Sequence, residues 1–112
     1  MQSLTPAFID QLRFNEAGLI PAIAQDWLDG AVLMVAWMNR EALEHTLRSE
    51  EVHYWSRSRQ ELWHKGGTSG HTQKLRGIRY DCDADVLRLT IEQTGDVACH
   101  TGARSCFFEE ED

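Results

Sequence analysis

Apolar and polar positions change over in short blocks along this chain, and the blocks predict many strands and few helices. Phe8, Ile9 and Leu12 fall at helical spacing behind Thr5-Pro6, a cap followed by a first helical position, so a short helix is expected to about Arg13. Residues 15–18 break it. Residues 19–24 are apolar enough for a strand, and Pro21, which has no N–H to give a ladder, predicts an edge position. Asp29-Gly30 predicts a hairpin turn, and the unbroken apolar run 31–38 a buried strand. Asn39 is placed to cap a helix over 40–50, in which Leu43 and Leu47 lie one turn apart. Residues 52–56 and 60–64 predict a strand and its hairpin partner. Residues 65–70 hold three glycines in six positions, too many for regular structure. Residues 73–83 and 85–92 predict two long strands or one bent pair, 94–96 a turn, 99–102 a loop and 106–108 a final strand. The expected fold class is sheet-rich α+β with two or three helices.

Composition narrows the picture. With 112 residues, 42% of them hydrophobic, the chain is expected to form one domain over 1–112 that ends in a solvated acidic tail at 109–112. A small domain leaves much surface uncovered, so oligomerisation is expected to help. A net charge of −7 argues against a general nucleic-acid binder. No apolar run reaches the length of a membrane span, and the start of the chain lacks the basic and apolar regions of a signal peptide. Three cysteines, an odd count without an export signal, predict reduced thiols in a cytoplasmic protein.

The candidate chemistry centres on Tyr80-Asp81-Cys82-Asp83-Ala84-Asp85 and on Cys99 and Cys106. Read as a strand, the stretch alternates its faces: Asp81, Asp83 and Asp85 on one, Cys82 and Ala84 on the other. Carboxylates suit hard cations such as Mg²⁺, and thiolates suit Zn²⁺. Two different metal sites back to back are therefore expected. Three thiolates would leave a fourth tetrahedral position open, the pattern of a catalytic zinc. His100 as a fourth ligand would instead close a structural site. The plain alternative makes each cysteine a small buried hydrophobe. Cys82 between two aspartates, and Cys99 and Cys106 in polar, glycine-containing sequence, weigh against it. A cytidine-type zinc deaminase is excluded, since no His-x-Glu and no Cys-x-x-Cys occurs. An EF-hand is excluded because Val86 stands where its loop needs glycine. An exposed acidic face without a cation stays open, because carboxylates about 7 Å apart repel by only about 0.6 kcal/mol in water.

Between Arg57 and Arg79 lie six Lys/Arg residues and a single acid, Glu61, in an otherwise acidic chain. This local inversion points to an anionic ligand. Within it, Lys65-Gly66-Gly67-Thr68-Ser69-Gly70 offers backbone N–H groups and two hydroxyls that can cradle a phosphate. It is not a P-loop, because no Gly-Lys-Ser/Thr ends it. The alternative is a flexible connection whose charges face solvent. Trp55 and Trp63 flank the island and read more readily as core than as stacking platforms.

Five motifs then stand in order: Trp-Met-Asn-Arg-Glu-Ala at 37–42, Tyr-Trp-Ser-Arg-Ser-Arg at 54–59, Trp-His-Lys-Gly-Gly-Thr-Ser-Gly at 63–70, Asp-Cys-Asp-Ala-Asp at 81–85, and Cys-His-Thr-Gly-Ala-Arg-Ser-Cys-Phe at 99–107. Together they resemble phosphoribosyl-AMP cyclohydrolase of histidine biosynthesis, over about residues 19–108. The chain looks like the monofunctional form, without a following pyrophosphohydrolase domain. The resemblance implies a homodimer built on a folded, buckled mixed sheet (a pseudo-barrel) with peripheral helices. It implies one zinc per subunit on Cys82, Cys99 and Cys106, with Cys82 supplied by the partner subunit. It also implies one magnesium per subunit on Asp81, Asp83 and Asp85.

The family's reaction is hydrolytic opening of the adenine N1–C6 bond of phosphoribosyl-AMP, which gives the phosphoribosyl-formimino-AICAR-phosphate intermediate. Such a substrate, with two phosphate ends, accounts for a basic island in an acidic chain. Its expected contacts are Arg57, Arg59, Lys65, Gly66, Gly67, Thr68, Ser69, Gly70 and Lys74. Ring opening needs a proton delivered near N1, and His100, beside Cys99, is the first candidate to move it, with His64 and His71 as alternatives. A non-catalytic phosphate-binding module and a structural zinc protein are the rival readings. The first leaves the thiolates unexplained, and the second leaves the acidic stripe unexplained.

Overall fold

A computed structural model describes residues 6–111. It contains two α-helices, α1 (Pro6–Asp10) and α2 (Arg40–Ser49), and six strands. The strands are β1 (Ile20–Asp26), β2 (Val32–Met38), β3 (His53–Ser56), β4 (Glu61–His64), β5 (Gln73–Tyr80) and β6 (Leu87–Gln93). A short 3₁₀ turn, Thr94–Asp96, follows β6. The expected cap at Thr5 and the last residue of the acidic tail lie outside the described residues.

The strands form one mixed sheet in the order β4-β3-β2-β1-β6-β5, in which β1 and β6 run parallel and every other pair runs antiparallel. The sheet curls. Although β5 and β4 are its two edges, the segment leading into β3 hydrogen-bonds to β5: Val52 N–H donates to the Gln73 carbonyl and Leu75 N–H to that of Glu50. Inside the curl, period-two burial places Ile20, Ala22 and Ala24 of β1 against Leu87, Leu89 and Ile91 of β6. Helix α2 covers one side with Ala42 and Leu43. Asn39 caps that helix as expected, accepting from Ala42 N–H at 2.8 Å, and Glu50 ends it in the left-handed region.

Several expectations are corrected. Pro21 does not lie on an edge strand, because β1 is paired on both sides. The proline is tolerated because the parallel ladder to β6 starts only at Ala22. The run 31–38 is not wholly buried, since Val32 and Val35 face outward. The Asp29-Gly30 turn belongs to a longer loop between β1 and β2, built on Asp26, whose carboxylate accepts from the N–H groups of Leu28 and Asp29.

The strand through 81–85, and with it the alternation of aspartates and cysteine, is absent. Strand β5 stops at Tyr80, and 81–86 turn the chain into β6. The Asp81 carboxylate accepts from the N–H groups of Asp85 and Val86 at 2.9 and 3.1 Å, and Ala84 takes a positive φ of 60°. A short acceptor side chain has out-competed the sheet ladder for these donors. The expected final strand 106–108 is also absent. Cys106 N–H makes one bond to the Leu33 carbonyl, and Phe107 and Phe108 are exposed.

Candidate active site

Two loops meet at one end of the curled sheet. The first, 65–72, leaves β4 and enters β5; the second, 97–104, follows the 3₁₀ turn after β6. Lys65 joins them by donating from Nζ to the Ala98 carbonyl, and its ammonium lies 5.2 Å from the centre of the Trp63 ring. Between the loops opens a cavity of about 610 Å³.

Six of the nine expected substrate contacts line this cavity: Arg59, Lys65, Gly66, Gly67, Thr68 and Ser69. Arg57, Gly70 and Lys74 do not. Arg57 lies over the Trp37 ring at 4.7 Å, on another part of the surface. Gly70 is exposed and donates its N–H to the Gly66 carbonyl, and Lys74 of β5 bridges to Glu51. Within the loop, Gly67 N–H is also spent on the His64 carbonyl. The N–H groups of Thr68 and Ser69 and the Thr68 hydroxyl bond to nothing among the described residues. Together with the Gly66 N–H, they are donors left for an anion.

All three candidate histidines line the same cavity. His64 Nε2 lies 2.7 Å from a Glu51 carboxylate oxygen, its ring stacks on His53, and its Nδ1 faces Gly67, where a Cβ would sit 2.9 Å away. The His71 ring lies against Gly95, where a Cβ would come within 2.7 Å. His100 is exposed beside Cys99. Sequence reading missed two parts of this wall. Trp63, taken there for core, is 38% exposed and lines the cavity, and Glu51 orients His64 from a distance of 13 residues.

The thiols separate into two places. Cys99 and Cys106 lie near enough for each to shift the acidity of the other. The Thr101 hydroxyl donates to Cys99 Sγ at 3.0 Å and, with the Thr101 N–H, Cys106 and the Lys65 ammonium, makes Cys99 more acidic than an ordinary thiol. Burial, and then Cys99 itself, push the Cys106 thiol up. Two neighbouring thiols, one of them made more acidic, fit a soft cation such as zinc. Cys82 lies instead in the exposed 81–86 turn, and among the described residues no cluster unites the three cysteines.

Asp81, Cys82 and Asp83 carry ligand atoms all within 4.8 Å of one another. Cys82 thus joins the aspartates and does not face away from them. The Asp85 N–H, and after it the Asp85 side chain, hold the Asp81 carboxyl below the usual carboxylate range. Asp85 is pushed up, first by the neighbouring Asp81 carboxyl and then by burial and the charges of Asp81 and Asp83. Two carboxylates in one turn fit a hard divalent cation, and Asp85 stands outside the tight group.

The histidine biosynthesis bifunctional protein HisIE of Parasynechococcus marenigrum (strain WH8102) is 85% identical over 97% of this chain and 49% of its own length. The protein of the same name from Prochlorococcus marinus (strain MIT 9313) is 81% identical over 98% of this chain and 50% of its own. The chain therefore spans about half the length of these relatives. The phosphoribosyl-AMP cyclohydrolase of Trichormus variabilis (strain ATCC 29413 / PCC 7937) is 62% identical over 90% of this chain and 87% of its own. Residues 34–108, which hold α2, the glycine loop, the aspartate turn and all three cysteines, match the family described as PRA-CH, phosphoribosyl-AMP cyclohydrolase. With that match and these identities, the chain belongs to the phosphoribosyl-AMP cyclohydrolase family.

Proposed function

We propose that this chain hydrolyses phosphoribosyl-AMP in the cytoplasm, opening the N1–C6 bond of its adenine ring to give phosphoribosyl-formimino-AICAR-phosphate in histidine biosynthesis. The observation that carries the reading is the single cavity lined by the glycine loop, three histidines and Cys99. The names of the relatives support it.

Lys65, Arg59, the Thr68 and Ser69 N–H groups and the Thr68 hydroxyl hold one phosphate end of the substrate. Trp63 and the His71 ring wall the cavity beside it. Water adds to C6, the C6–N1 bond breaks, and N1 leaves with a proton while C6 becomes the carboxamide carbon. His100 delivers that proton; His64 and His71 are the alternatives. The bias toward N1 over the exocyclic amine rests on where this proton is held.

We read the working form as a homodimer in which Cys99 and Cys106 hold zinc together with Cys82 of the partner subunit. That arrangement accounts for two adjacent thiols and a third on a distant exposed turn. Magnesium belongs to Asp81 and Asp83, with Asp85 nearby. When bound, zinc supplies Lewis acidity toward the water nucleophile and magnesium a counter-charge for phosphate. The test is product analysis after incubating the purified chain with phosphoribosyl-AMP. A ring-opened product one water heavier supports the reading. Recovery of intact substrate, or loss of the exocyclic amine as ammonia, contradicts it.

A further inference from the structure

Apart from Thr46, which bonds to the Ala42 and His53 carbonyls, the buried polar side chains form one row of three. Tyr54 and Gln73 are fully buried and Gln93 is 8% exposed. The Tyr54 hydroxyl donates to Gln73 Oε1 at 2.7 Å. Gln73 Nε2 donates to Gln93 Oε1 at 2.9 Å and to the Met34 sulfur at 3.3 Å. Gln93 Nε2 donates to the carbonyls of His71 at 2.9 Å and Thr72 at 3.3 Å. Every amide hydrogen is taken, and apart from the one spent on Met34 the donors run the same way, from Tyr54 toward the 71–72 backbone. Burial also makes the Tyr54 hydroxyl far less acidic than an ordinary phenol, so it stays a donor.

The row ends where the glycine loop ends. A Cβ on Gly66 would lie 2.2 Å from the His71 carbonyl carbon and 2.3 Å from Thr72 N, so the start of the loop packs directly on the peptide that Gln93 holds. The Thr72 carbonyl also accepts from Thr94 N–H at 2.9 Å, and the His71 ring rests on Gly95. The 71–72 peptide is thus clamped between the loop and the core. Stability alone does not call for such a row, because replacing both partners of a buried hydrogen bond by apolar groups of the same shape is close to neutral. A directed, fully satisfied network does specify one geometry.

We propose that Tyr54, Gln73 and Gln93 are positioning residues, which fix the His71–Thr72 peptide and through it set the glycine loop and the His71 ring for the anionic end of the substrate. This assignment rests on the proposed function for its substrate, but the loop geometry it predicts is measured without one. The experiment compares Gln93→Met and Tyr54→Phe in the full chain by amide hydrogen exchange, and by KM and kcat on phosphoribosyl-AMP. Gln93→Met is expected to speed exchange in 66–72 while β1 and β2 keep their protection, and to raise KM about tenfold, the scale of one buried hydrogen bond, with a smaller change in kcat. Tyr54→Phe is expected to show the same pattern more weakly, and it decides the matter if Gln93→Met does not fold. Loop exchange and KM both unchanged in a folded variant, or protection lost evenly across the sheet, overturns the assignment. Faster loop exchange in a chain that leaves phosphoribosyl-AMP intact would keep the positioning role and reject the substrate.

Discussion

Lys65 Nζ donates to the carbonyl of Ala98, and this contact ties the glycine loop to the loop that carries Cys99. Burial lowers the Lys65 pKa, while Cys106 and Cys99 act to raise it. The ammonium is therefore engaged on both sides of the cavity. Lys65→Met leaves the Ala98 carbonyl unpaired and should cost about 1 kcal/mol of stability. It should also make Cys99 a weaker acid, since the lysine charge is one of the causes that lower it. Thiol titration of metal-free protein by absorbance at alkaline pH checks the second effect. An unchanged Cys99 titration would separate the lysine from the thiol pair.

His53 gives a pH dependence whose sign can be worked out. Its pKa is lowered from 6.5, first by burial and then by the charges of His64 and His45, against the raising effect of its hydrogen bond to the Glu51 carbonyl. The unfolded chain then binds a proton that the folded chain resists. This contribution is present above the ordinary histidine pKa and is lost as pH falls from there through the lower folded value. Thermal midpoints should fall over that window, and His53→Gln should flatten the fall. A variant that melts with the same pH profile as the parent would place the titration elsewhere.

Asp81 serves the 81–86 turn as well as the candidate cation site, whereas Asp83 serves only the site. Asp81→Ala should lower the melting temperature of metal-free protein, because the turn loses the acceptor for the Asp85 and Val86 N–H groups. Asp83→Ala should leave the metal-free melting curve in place. Both should weaken magnesium binding measured by calorimetry. Equal melting shifts for the two variants would contradict this division.

A zinc site shared between subunits, as proposed above, predicts complementation. Cys82→Ser and Cys99→Ser homodimers should each lack zinc and activity. After mixing and subunit exchange, half the dimers are mixed and each holds one complete site of two, so about one quarter of the parental zinc should return. No zinc regained from a mixture shown to exchange subunits would contradict the sharing.

These residues also show what a sequence makes legible. The Asn39 cap, the β3–β4 hairpin and the irregular glycine loop are local, set by residues within a few positions of one another, and all three stand in the structure. Asp81 was misread because its side chain has two uses. In a strand it alternates, but as an acceptor for Asp85 and Val86 it ends the strand. Pro21 was misplaced because the rule against central prolines concerns the ladder on one side, and that ladder starts one residue later. The Tyr54–Gln73–Gln93 row could not be read at all. It joins residues about 20 positions apart that meet only when the sheet curls.

Hydrolysis in the cavity between the two loops is expected to need the metal, and turnover of phosphoribosyl-AMP by chelator-stripped protein, before and after zinc is restored, tests this. Activity should disappear on stripping and return with zinc. A folded, dimeric protein that leaves phosphoribosyl-AMP intact untreated, stripped and restored would contradict it, and would favour a phosphate-binding module.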